Sequence, residues 1–69
     1  MVEVFKTNVD TEYFAGKITA LLLTHFPLCK ISFDLEDCDR VLRIEGVFSG
    51  AQKIQDLVCR LGFICERMD

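Results

Sequence analysis

Cys29, Cys38, Cys59 and Cys65 are the side chains of this chain with the most chemistry to offer. A thiolate can ligate Cu(I) or zinc, act as a nucleophile or close a disulfide. The four are spaced by nine, twenty-one and six residues, so no Cys-x-x-Cys pair occurs. Cys59 and Cys65 are the one pair that invites a joint role, a non-standard site for Cu(I) or zinc, because the first falls near the end of a helical stretch and the second early in the next extended one. The competing reading, which we favour, makes Cys29 and Cys65 small buried residues, as free cysteine commonly is. His25 could be a ligand or a pH switch, but near a helix C-terminus it more often serves the helix dipole. Asp34, Glu36, Asp37 and Asp39 form an acidic cluster without the glycine and terminal glutamate of a calcium loop, which reads as a solvated turn. No Ser/His/Asp arrangement, paired carboxylates in a cleft or Gly-rich phosphate loop is present. The expectation is therefore a protein that is not an enzyme and carries no cofactor.

The elements that must position these residues follow from periodicity. Val2 to Val9 is rich in β-branched residues and reads as a strand. Asp10 or Thr11 can cap a helix running to His25, with Phe14, Ile18, Leu21 and Leu22 recurring at intervals of three and four, and Pro27 ending it. Cys29, Ile31, Phe33 and Leu35 alternate with Lys30, Ser32, Asp34 and Glu36, the mark of a strand with one wet face. Asp37-Cys38-Asp39 is the turn, and Leu42 and Ile44 alternate in the returning strand to Gly46. Ser49 and Gln52 have capping-box spacing, Ala51, Ile54, Leu57, Val58 and Leu61 make a second helical stripe, and Gly62 suits its left-handed end. Phe63, Ile64 and Cys65 open a last strand. Strand, helix, strand, strand, helix, strand predicts an α+β, ferredoxin-like sandwich: a four-stranded antiparallel sheet of order 4-1-3-2 with both helices on one face.

Residues 1–69 make a single small domain, 51% hydrophobic and 28% charged, a composition that excludes disorder. A net charge of −3 opposes nucleic-acid binding, since a phosphate backbone is repelled. The longest apolar run, Ala20 to Leu23, is far below the roughly 20 residues that span a bilayer. With no secretory pattern, the expected location is cytoplasmic and the cysteines are expected as free thiols.

Along nearly its whole length the chain resembles the heavy-metal-associated domain of copper chaperones and metal-pumping ATPases. Phe26-Pro27 followed by Ile31-Ser32-Phe33-Asp34-Leu35-Glu36 is similar to the family's Leu-Pro-Gly-Val…Val-x-Val-Asp-Leu-Glu segment. Val41 to Gly46 resembles its Val-x-Val-x-Gly strand, and Leu61-Gly62-Phe63 its closing helix and Gly-Tyr turn. The resemblance implies a metal motif, Met-x-Cys-x-x-Cys, between strand one and helix one. There this chain has Val9 for the methionine and Thr11 and Phe14 for the two cysteines. Neither a hydroxyl nor a phenyl ring replaces a soft thiolate, so no metal is expected in that loop. Phe14 is expected to turn inward and fill it, leaving Tyr13 exposed. What the resemblance then implies is a protein-binding or regulatory module, its partner surface formed by Tyr13, Asp37 and Asp39 or by the strand-two edge. The weighed alternative is metal binding or transport through Cys59 and Cys65. A third reading, a small-ligand sensor, predicts a glycine in the Asn8-Val9-Asp10 loop, which has none.

Overall fold

A computed structural model describes residues 1–48 and 50–68 of the chain. The elements run β1 (Val2–Thr7), α1 (Glu12–His25), β2 (Lys30–Asp34), β3 (Val41–Glu45), α2 (Ala51–Arg60) and β4 (Cys65–Arg67). All strand pairings are antiparallel. Neighbours run β2-β3-β1-β4, which read from the β4 edge is 4-1-3-2.

The alternation in the sequence sets the two faces of the sheet. Phe5 pairs with Leu42, Phe33 with Leu42 and Ile31 with Ile44, so these side chains share one face. Phe5, Leu42 and Ile44 join Ala15, Ile18 and Leu22 of α1 and Ile54, Leu57 and Val58 of α2 in a single buried cluster, with Ile31 and Phe33 half-buried against it, which puts both helices on that face. Lys6, Lys30, Ser32, Asp34, Arg43 and Glu66 on the other are exposed. Phe5, Ile18, Leu22, Leu42, Ile44 and Ile54 are fully buried, and each contributes about 1.5–3 kcal/mol of hydrophobic stabilisation. Among the described residues no helix is long and apolar enough to cross a membrane.

Several boundaries differ from the periodicity. β1 stops at Thr7 because that residue turns its polar groups to other partners. Its N–H donates to the Asp39 carbonyl, and its buried hydroxyl donates to the Arg40 carbonyl at 2.5 Å and accepts from the Val9 N–H. Thr7→Val keeps the shape and removes both bonds, so it is expected to cost about 1–3 kcal/mol through unsatisfied buried main chain. That is a fall of several degrees in a thermal melt followed by circular dichroism.

α1 is capped by Thr11, whose hydroxyl accepts from the Phe14 N–H at 3.2 Å; Asp10 is not the cap. Ala15, absent from the expected stripe, is buried, whereas Phe14 is 41% exposed. The capping box assigned to Ser49 falls outside the described residues. Gly50 holds the N-cap position of α2 without a side-chain hydrogen bond, and Gln52 donates instead to Asp56 one turn on, at 2.9 Å. Gly62 closes α2 at φ 94°. Phe63 and Ile64 precede the last strand, which starts only at Cys65.

Candidate functional site: the end of the sandwich at the α1 N-terminus

Three loops meet at one end of the molecule. The β1–α1 connection carries Asn8 to Thr11, the β2–β3 turn carries Asp37 to Arg40, and the α2–β4 connection carries Leu61 to Ile64. Asn8 stitches the first to the third: its side-chain oxygen accepts from the Ile64 N–H at 2.8 Å across 56 residues of sequence. Val9 is fully buried, so the position matched to a methionine ligand is occupied by core packing.

Thr11 and Phe14 occupy the positions that the resemblance assigns to thiolates. Thr11 spends its hydroxyl on the helix cap. Phe14 does not turn fully inward, as the helical stripe implied. At the start of α1 the buried arc runs through Ala15, and Phe14 lies at its margin against Phe63, with ring centroids 5.3 Å apart. Tyr13 stands edge-on to Phe14 at 5.2 Å, and the Lys17 ammonium sits 5.1 Å over the Tyr13 ring. Tyr13 is 64% exposed, Ile64 53% and Leu61 47%. Aromatic contacts at these separations each add about 0.5–1.5 kcal/mol beyond area burial, so the row is ordered although solvent reaches it. Large apolar side chains held in place and left wet make a surface suited to a protein partner.

The acidic turn beside it is built from main-chain contacts. Arg40 adopts φ 46°, and its guanidinium donates to the Leu35 and Asp37 carbonyls at 3.0 and 3.2 Å. Asp37 accepts from the Asp39 N–H at 2.8 Å, and Asp39 lies 3.9 Å from Lys6. Asp37, Cys38 and Asp39 bring one ligand atom each within 4.8 Å of one another, but Asp37 is already engaged in holding the turn.

Of the four cysteines, Cys59 and Cys65 lie near enough for their charges to interact. Cys38 is exposed in the turn, and Cys59 is exposed on α2. Cys29 is buried at the opposite end, its thiol 3.7 Å from the Val47 carbonyl. Cys65 is buried, and that burial, with the neighbouring Cys59, pushes its thiol up to about 12. A thiol held so firmly protonated is a poor nucleophile and must lose its proton to ligate an ion. His25 is exposed in the last turn of α1.

A second concavity lies around the corner from the aromatic row. Glu12, Ala15, Phe33, Asp34, Leu35 and Glu36 line a cleft of about 340 Å³ between the start of α1 and the end of β2. Sequence reasoning missed it, because it exists only where α1 passes beside the edge strand. The alternation in β2 was its one visible trace. No family model matches this chain, and neither a curated protein nor a solved structure does.

Proposed function

We propose that the chain is a ferredoxin-like domain of the heavy-metal-associated type that works as a protein-interaction module. It docks through the end of the sandwich where related domains would hold an ion. The observation that carries this reading is the row Tyr13–Phe14–Phe63, exposed at Tyr13 and Phe14, half-buried at Phe63 and flanked by the exposed Leu61 and Ile64. Two supports stand beside it. Thr11 and Phe14 bring a cap and a packing ring, not sulfur, to that loop. Asp37 and Asp39 on the adjoining turn add an acidic flank that favours a partner with basic residues.

Anaerobic titration with Cu(I) against a chromogenic chelator tests the reading from the metal side. The expected result is no retained equivalent. One equivalent held by the native chain and lost in Cys59→Ser/Cys65→Ser would establish the metal alternative in its place. From the protein side, a photo-crosslinking amino acid at Tyr13 is expected to give a discrete adduct in the native cell. The added change Ile64→Glu should abolish that adduct, because a charge at the centre of an apolar contact costs roughly 2 kcal/mol or more. Equal cross-linking with and without that change overturns the docking end.

A further inference from the structure

The cleft between α1 and β2 lies along an open strand edge. Gly46 donates to the Met1 carbonyl at 2.9 Å, so in the β1–β3 register Ile44 and Leu42 direct their main-chain groups at β1. Glu45, Arg43 and Val41 therefore serve β2, where they pair with Lys30, Ser32 and Asp34. The N–H and C=O groups of Ile31 and Phe33 then point out of the sheet, since pairing alternates along an antiparallel strand. β2 is the outermost strand, so two residues of main-chain pairing stand ready for another chain.

The side chains above that edge indicate which chain. Phe33 and Leu35 are half-buried and Ala15 is buried; together they give the cleft an apolar floor. Glu12, Asp34 and Glu36 are exposed around it. None of the three is in an ion pair among the described residues; the pairs there are Lys6–Asp39, Arg43–Glu45 and Arg67–Glu3.

Resting on the protein-interaction reading, we infer that β2 takes up an extended, basic segment of a partner protein as a fifth strand. The segment's alternate lysines or arginines lie on the outer face with Asp34, and a basic residue past the end of the pairing meets Glu12 and Glu36. The alternate apolar side chains enter the cleft under α1. Pairing with Ile31 and Phe33 supplies the main-chain contacts. The floor selects small or branched apolar residues on one face, and the carboxylates select positive charge. A second copy of this chain is the weaker occupant, because it offers Lys30 alone opposite the carboxylates and itself carries net charge −3.

The test is a fluorescence-polarisation and amide-NMR titration of the native chain with a short tagged peptide alternating lysine with valine and leucine. Binding is expected to weaken at least tenfold between low and high salt as screening shortens the reach of the carboxylates. The expected shifts fall on the Ile31 and Phe33 amides. Glu36→Lys is expected to lose roughly tenfold in affinity, whereas Asp56→Lys, equal in net charge but on α2, keeps it. A proline-interrupted peptide of equal charge should fail to bind. Binding as tight by that peptide, shifts confined to Asp37–Asp39, or equal losses in the two lysine variants would each overturn the inference. So would sedimentation showing a dimer of the native chain that Glu36→Lys dissolves, because a second copy would then hold the edge. The titration contains no metal, so its failure is separate from the Cu(I) result that decides the broader reading.

Discussion

Replacing Gly46 by alanine is expected to lower the melting temperature by on the order of 15 °C or more. Gly46 sits at φ 138°, a conformation that side-chain-bearing residues enter at a cost of about 1–3 kcal/mol. A methyl group there would also lie 3.0 Å from the Cys29 sulfur and 3.1 Å from the Cys29 Cα. Main chain cannot swing away as a flexible side chain can, so overpacking adds about 1–3 kcal/mol. The total is a large part of the roughly 3–10 kcal/mol that a domain of this size has. Gly16→Ala provides the opposite sign in the same assay. It lies inside α1 with nothing within 4 Å of the added carbon, so alanine should stabilise by about 0.5–1 kcal/mol. If the two variants melt within a few degrees of each other, the close approach of Gly46 to Cys29 is wrong.

The second large effect is a split in thiol reactivity. Cys38 and Cys59 are exposed and Cys29 and Cys65 are buried, so alkylation resolved by peptide mass spectrometry should modify the first two rapidly. Cys65 carries an added barrier. With its thiol at about 12 against an ordinary 9.0, its thiolate fraction near pH 8 is lower by roughly a thousandfold. It should be labelled only at the rate at which the chain opens. The same shift sets a direction for stability. Between pH 9 and about 12 the unfolded chain gives up this proton while the folded one keeps it, so stability falls as pH rises through that window. Cys65→Ala should flatten that part of the profile relative to the native chain. Alkylation of Cys65 at the pace of Cys59 would contradict both statements.

How far the sequence reached depended on whether a feature was local. The alternation from Cys29 to Glu36 located β2 and its wet face, because period two is written in the residues themselves. Pro27 and Gly62 marked helix ends for equally local reasons. Thr11 as cap was one of two local options, and the choice between it and Asp10 needed the main-chain path. Phe14 was placed too far inward because a helical stripe has margins whose burial is decided by the neighbouring element, here Phe63. The Asn8–Ile64 and Thr7–Arg40 contacts were invisible, since each joins residues far apart in the chain. The α1–β2 cleft was missed for the same reason. Its floor comes from two elements whose separation no spacing rule supplies.

The two borders of the sheet differ in a way that limits what crowding can do to this protein. One border, β4, is only three residues long, Cys65-Glu66-Arg67, with Arg67 held by Glu3 at 2.8 Å; it offers almost nothing to template. The other, β2, is longer and open. Among the described residues, pairing of copies through the sheet edge is therefore open to β2 against β2, and such a symmetric union closes after two members. Growth into fibrils by edge pairing needs two open borders, and the described residues offer one of useful length.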